Sequence, residues 1–344
     1  MARYDSLFDT LGLRDWCDAD KADAPLSMAQ LLAQAQGGEE AAETGGLPFP
    51  SLDTLHESCA RIGQTRDLTE GLENGFLSIR SELKFVLDPI TQPLSWMLDG
   101  TLFVFESAPW WVMMPALLLL TWVVSRSRSV TAFVAFVLLF FAFIDHYEVA
   151  MQTLAIVFVC TGISVLFGVP IGIGMSKSNT AQRSIVPILD LLQTLPTFVY
   201  LIPLIFLFSV TESKLYGIAI ILYAIVPVIR LTDLGIRLVD RDVIEAANAF
   251  GLTAWQKLTR VELPLAMPNI MAGVNQTIMM SLAMVVIASL VSAPGLGVLV
   301  LRGIRALDLG VGIVAGLGIV LLAVVLDRVS KAALNRVDTR AKSK

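Results

Sequence analysis

Long uncharged apolar runs constrain this chain more than any other feature. Residues 107–125, 129–144, 149–176, 191–211, 215–229, 263–301 and 309–326 contain no Asp, Glu, Lys or Arg. A bilayer core needs roughly 20 apolar residues per helix, with about 17 sufficient. Inside lipid a backbone must satisfy its own hydrogen bonds, so such runs fold as helices. A hydrophobic content of 55% across 344 residues supports the same class. The run 263–301 is too long for one span. Asn275 and Gln276 fall inside it, and SAPGLG at 292–297 reads as a break. A span over about 269–291 is therefore expected, followed by a re-entrant or external segment up to Leu307. This gives an all-α membrane protein of about seven transmembrane helices, the third kinked or tilted near Gly168 and Pro170. Trp110, Trp111 and Trp122 lie near the ends of the first run, where interfacial aromatics belong.

Charge supplies the orientation. The gaps 125–129, 177–184 and 230–262, together with the C-terminal end, hold fifteen Lys and Arg residues. The opposite gaps hold Lys214, Arg302 and Arg305. The positive-inside rule puts the richer side in the cytoplasm. The basic tail 331–344 is then cytoplasmic, and seven spans would place the N-terminus outside. Residues 1–106 carry eighteen acidic and seven basic residues. Within them 1–75 reads as an acidic polar tail, runs such as AQGGEEAAETGG being poor in core-forming residues. The start, MARYDSLFDTLGLRDW, lacks the layout of a cleavable signal, so insertion is expected to rest on the spans. Residues 76–106 fit either an interfacial amphipathic helix or an ordinary packed helix before the first span. Pro89 and Pro93 interrupt its pattern.

Several chemistries lack their residues. The three cysteines and two histidines are scattered, without metal-ligand spacing. No basic run suggests nucleic acid. The sequence contains no GxxxxGK[ST], so no P-loop is available to bind ATP. No catalytic set or paired carboxylates stands out in the spans.

The cytoplasmic gap between the fifth and sixth spans contains EAANAFGLTAWQKLTRVELP, beginning at Glu245. Asp240 or Asp242 can cap a first helix, with Val243, Ala246, Ala247 and Phe250 on one stripe. Gly251 breaks that helix by taking a positive φ. Thr253 can cap a second helix, which Pro264 limits because it has no N–H to give. A loop packed on its own surface is the plain reading. A rigid handle for a partner is the functional one.

Glu245, Ala246 and Ala247, then three residues, Gly251, nine residues, and Val261-Glu262-Leu263-Pro264 resemble the EAA motif of ABC-importer permeases. Val261 in place of Ile is the departure. LLQTLPTFVYLIPLIFLFSV, AIVPVIRLTDLGIR and LPLAMPNIMAGVNQTIMMSLAMVVIASLV are similar to glycine betaine/proline betaine permeases, a likeness covering roughly 100–330. The resemblance implies type I ABC importer permease architecture over 107–330, with 240–264 as the coupling loop. It implies Glu245, Ala246, Ala247, Gly251, Leu263 and Pro264 as the contact to an ATPase subunit. It also implies a second copy of the chain, two ATP-binding subunits and an external substrate-binding protein. ATP and Mg would sit on the partner, with no cofactor in this chain. The cargo would be a betaine-like osmolyte: glycine betaine, proline betaine, choline, carnitine or trimethylamine N-oxide. An ATP-independent carrier or channel is the alternative, and would call for ionisable groups inside the spans.

Polar groups in lipid are costly unless they face a cavity or another helix. Gln193, Thr194 and Thr197 around Pro196 are pathway candidates, with Phe198 and Tyr200 as aromatic walls for a quaternary ammonium group. Asn275, Gln276 and Thr277, with Met279 and Met280, form the second set. Interhelical hydrogen bonding is the competing explanation. Asp190 reads as a favourable charge at a helix N-terminus. Gly168-x-x-x-Gly172 and Gly312-x-x-x-Gly316 read as close helix contacts, within the subunit or between copies.

Overall fold

The computed structural model describes residues 11–12 and 65–342, with side chains described at 11–12 and 69–333. Most of the acidic tail 1–75, and the side chains of 334–344, lie outside the described residues. The chain forms two units, Met1–Ser81 and Glu82–Lys344. Of the first, the described part is Leu11, Gly12 and the start of one helix. The second contains every other element.

No strand occurs among the described residues. The helices are α1 (Thr65–Ser107), α2 (Trp110–Ser125), α3 (Arg128–Phe143), α4 (Tyr147–Lys177) and α5 (Asn179–Thr194). A 3₁₀ turn (Thr197–Tyr200) leads into α6 (Leu201–Leu207), then α7 (Ser213–Arg237), α8 (Arg241–Ala249) and α9 (Ala254–Lys257). A π turn (Leu258–Glu262) joins α9 to α10 (Leu263–Ala288), followed by α11 (Leu296–Ala306) and α12 (Leu309–Lys342).

α7 is the centre of the second unit. It packs most extensively against α10 and α4. Two glycines let both neighbours close on the same residue. A Cβ on Gly168 of α4 would stand 2.4 Å from Val228 Cγ1, and one on Gly273 of α10 would stand 3.0 Å from Val228 Cα. One turn along α4, a Cβ on Gly172 would meet the Ile229 carbonyl at 2.6 Å. The Gly168/Gly172 pair thus serves packing inside the subunit. A Cβ on Gly303 of α11 would meet Gly312 Cα of α12 at 2.6 Å, while Gly316 has open space. Thr161 donates to Ser281 (3.2 Å), tying α4 to α10. The SAPGLG break is pinned to α4, where the Leu296 N–H donates to Thr153 Oγ1 at 2.9 Å.

Among the described residues four helices are long and apolar enough to cross a membrane: Tyr147–Lys177, Ser213–Arg237, Ala254–Val291 and Leu309–Ala333. The count reaches six if each of two bent pairs is one span, and Arg128–Phe143 is a shorter apolar helix. The expected span 191–211 is not one helix. The chain turns by 106° between α5 and the Thr197–Leu207 segment. Pro196 causes this, because the residue before a proline is driven out of the helical region; Leu195 sits at ψ 133. α4 runs unbroken through Pro170. α1 likewise runs through Pro89 and Pro93, and turns 116° into α2 at Pro109.

The start of α7 is fastened to α1. Ser95 and Ser213 share a hydrogen bond of 2.8 Å. Lys214, 4% exposed, meets Asp88 at 2.7 Å and Glu212 at 2.8 Å. Its ammonium also lies 5.1 Å from the Phe208 ring centroid. The part of 76–106 around Ser95 and Leu98 is therefore packed, while Phe85, Ile90 and Trp96 stay exposed.

Overpacking in a filled core costs about 1–3 kcal/mol. Gly172→Leu is expected to lower the thermal transition of the purified protein by several degrees, read by fluorescence-detected size exclusion after heating. Gly174→Ala, where a Cβ meets nothing within 4 Å, is expected to leave it unchanged.

Candidate functional site

The segment from Asp240 to Pro264 is built as a capped pair of helices. Asp240 accepts a hydrogen bond from the Asp242 N–H at 3.0 Å, opening α8. α8 closes at Gly251, φ +73, with the Gly251 N–H on the Asn248 carbonyl and the Leu252 N–H on the Ala247 carbonyl. These two bonds form a Schellman end, in which glycine takes the left-handed position without a Cβ penalty. Thr253 and Gln256 then make a reciprocal capping box for α9, at 3.3 and 3.0 Å. Lys257 reaches back to Asn248 Oδ1 at 3.0 Å and braces the two helices.

The proline does not end the second helix as expected. The chain continues as one helix over Ala254–Val291. Pro264 has no N–H for the Arg260 carbonyl, and the preceding turn widens to π geometry, with the Leu263 N–H on the Leu258 carbonyl. π turns of this kind absorb local mismatch inside a helix. The segment is thereby continuous with a membrane helix.

Most of the apolar stripe of α8 faces outward. Ala247 is buried, but Val243 and Ala246 are exposed and Phe250 is 86% exposed. Trp255, on α9, is 71% exposed. Glu245 is exposed and lines a cavity of about 350 Å³ with Lys177, Arg237, Arg241, Ile244 and Glu262. Leu263 packs against Ile236, Leu258, Ala266 and Ile270. Pro264 is exposed.

Behind this surface lie ionic joints between helices distant in sequence. Glu262, 5% exposed, pairs with Lys177 at the end of α4. Arg237 joins three elements: its Nε meets Asp233 at 2.8 Å, Nη1 meets Asn179 at 2.9 Å, and Nη2 meets the Met175 carbonyl at 2.8 Å. Gln182 donates to the other Asp233 oxygen at 2.7 Å. The Met175 carbonyl lies in the last turn of α4, where a cation is favoured. Sequence spacing carried no sign of Glu262, which occupies the variable position of the motif.

The intramembrane candidates divide. Gln193 and Thr194 are exposed on the last turn of α5, and Pro196 and Phe198 are exposed at the bend. Thr197 is half-buried, and Tyr200 is buried with its hydroxyl unpartnered among the described residues. The 3₁₀ turn carrying Thr197 and Tyr200 lies against α10. On α10, Asn275 is engaged by α12: it donates to Asp327 at 3.0 Å and accepts from Ser330 at 2.7 Å. Gln276 is exposed, Thr277 is fully buried, and Met279 and Met280 are half-buried. Asp190 is not at a helix N-terminus. It lies in the second half of α5 and pairs with Arg230 of α7. α7 extends past the uncharged run 215–229, so Arg230 and Asp233 belong to a spanning helix.

Residues 164–342 match the family described as "Binding-protein-dependent transport system inner membrane component". The chain is 38% identical over 286 residues to the glycine betaine/proline betaine transport system permease protein ProW of Escherichia coli (strain K12), covering 83% of this chain and 78% of that one. It is 42% identical over 229 residues to the glycine betaine transport system permease protein OpuAB of Bacillus subtilis (strain 168), covering 66% and 76%. Among solved structures, a chain of the MetNI methionine ABC transporter matches with a TM-score of 0.50 at 20% identity, over 54% of this chain and 93% of that one. That likeness is one of fold.

Glu262 is buried and Lys177 is not, so removing Lys177 leaves a buried carboxylate without its partner. Lys177→Met and Glu262→Gln are each expected to destabilise the folded protein. The double variant is expected to recover part of the loss, with a coupling energy of roughly 0.5–3 kcal/mol in a double-mutant cycle of thermal denaturation.

Proposed function

The chain belongs to the family of binding-protein-dependent transport system inner membrane components, and from that premise we propose how it works. It is a multi-pass inner-membrane permease subunit of the ABC importer type. It works alongside an ATP-hydrolysing partner and a substrate-binding protein, as its family implies. We propose that its cargo is a small betaine-like osmolyte, glycine betaine or proline betaine first. Its likeness to glycine betaine/proline betaine and glycine betaine permeases supports that choice. Two copies would enclose the pathway, each with an ATP-binding subunit on the face that carries residues 240–264. The positive-inside rule puts that face and the C-terminus in the cytoplasm.

The observation that carries the reading is the exposure of Phe250 and Trp255 on a helix pair capped at both ends. Large aromatics held in solvent on rigid elements mark a surface meant to be covered. An ATPase groove closing on this surface would push the helix pair as one body. The π turn and α10 would carry that push into the membrane. The Lys177–Glu262 pair would carry it to α4, and Arg237 would hold α4, α5 and α7 together as it moved. ATP binding would open the pathway outward and hydrolysis would reset it.

Uptake of labelled glycine betaine into proteoliposomes is expected only with this chain, its ATPase, its binding protein and ATP together. Uptake by the chain alone, without ATP, would overturn the importer reading. Phe250→Ala/Trp255→Ala is expected to weaken co-purification of the ATPase subunit while membrane insertion stays normal. Gly251→Val forces a β-branched residue to φ +73, where an L-residue carries a penalty of roughly 1–2 kcal/mol. It is expected to reduce binding-protein-stimulated ATPase activity at least tenfold, measured at equal membrane abundance.

A further inference from the structure

Asp190 and Arg230 form an ion pair between α5 and α7, and both side chains are open to the surroundings, at 55% and 37% exposure. Lys214 and Arg230 bracket the uncharged run of α7. About 24 Å of helix separates them at ~1.5 Å per residue. A hydrocarbon layer is about 30 Å thick. Lys214 sits at the outer margin, fastened to Asp88 and Glu212. Arg230 therefore lies at the inner margin of the same layer.

Charges exposed at that depth are costly against lipid. An uncovered pair belongs on a water-filled path or against another subunit. The neighbourhood favours the path. Gln193 and Thr194, also exposed, follow Asp190 on the same helix within about one turn. Arg230 reaches Asp190 through Nη2, at the open end of its guanidinium. A guanidinium is matched to a carboxylate, to which it offers a planar fork of donors.

We propose that the Asp190–Arg230 pair lines the translocation pathway and exchanges its internal contact for the two ends of a zwitterionic solute. The solute carboxylate takes Arg230. The cationic head takes Asp190. One ion pair opens and two form, then the reverse occurs as the solute leaves. The protein pair thus neutralises itself when the path is empty, so neither charge is stranded. Exchange of this kind gives passage without deep trapping, because release restores what entry removed. The inference rests on the zwitterionic cargo named above, and assigns it a contact inside the membrane.

The test uses the complete reconstituted transporter. Glycine betaine uptake and stimulated ATPase activity are measured together for wild type, Arg230→Gln, Arg230→Lys and Asp190→Asn. Arg230→Gln and Asp190→Asn are expected to lower solute moved per ATP hydrolysed at least tenfold, with stimulated ATPase activity within twofold of wild type. Arg230→Lys, which keeps the charge, is expected to recover part of the transport. A pair that only holds helices together would lose transport and ATPase activity in parallel, in both Arg230→Gln and Asp190→Asn, and that result overturns the inference. Normal solute per ATP in both variants overturns it too, while leaving the importer reading intact. Absence of betaine uptake by wild type removes the cargo assignment and this inference with it.

Discussion

Helices in lipid gain nothing from hiding apolar surface, because the tails around them are equally apolar. What holds them is close contact, and here the contact converges on Val228 of α7. Gly168 approaches it from α4 and Gly273 from α10. Both lack the Cβ that would keep the backbones apart. With α4 and α10 seated on the same turn of α7, little freedom remains at the inner ends of the three helices. Gly172 meets Ile229 one turn further on, and Arg237 then binds the Met175 carbonyl and Asn179. The inner end of the bundle is thus set by packing first and by charge second.

That order matters for how a push would travel. A cytoplasmic loop on a flexible tether would dissipate movement in its own hinges. This one is capped at Asp240 and Thr253, closed by a Schellman end at Gly251, and braced by Lys257 on Asn248. Its second helix passes into α10 without a break. The π turn is the one irregularity on that line, and it sits beside the Lys177–Glu262 pair. A widened turn is easier to rewind than regular helix. Placing it next to the Lys177–Glu262 pair ties any rewinding there to the end of α4.

Much of this was legible in the sequence where the governing interaction is local. Most uncharged runs located apolar helices, Gly251 was expected at positive φ, and Thr253 was expected to cap the second helix. The failures are informative for the same reason. Pro264 and Pro196 have the same local chemistry, a missing N–H, yet one is absorbed in a π turn and the other bends the chain by 106°. Their surroundings differ: Leu258 and Glu262, in the turn before Pro264, are buried, whereas Phe198, in the turn after Pro196, is exposed. Asp190 was misplaced because the run 191–211 looked like a span beginning after it. Glu262 and Lys177, far apart in sequence, left no periodic trace of their meeting.

The charges of α7 and its neighbours show how a membrane helix can be both anchor and working surface. Lys214 and Asp233 are each nearly enclosed, and each is met by more than one partner. Such groups hold position, since separating them would leave a charge unpaired in a medium that cannot solvate it. Asp190 and Arg230 are different, because neither is enclosed. In water an exposed pair of this kind adds little stability. At the margin of the hydrocarbon layer it would be a liability unless the surface it occupies is wet. A fold that encloses Lys214 and Asp233 and leaves the Asp190–Arg230 pair open has separated charges that must stay closed from a pair that can open.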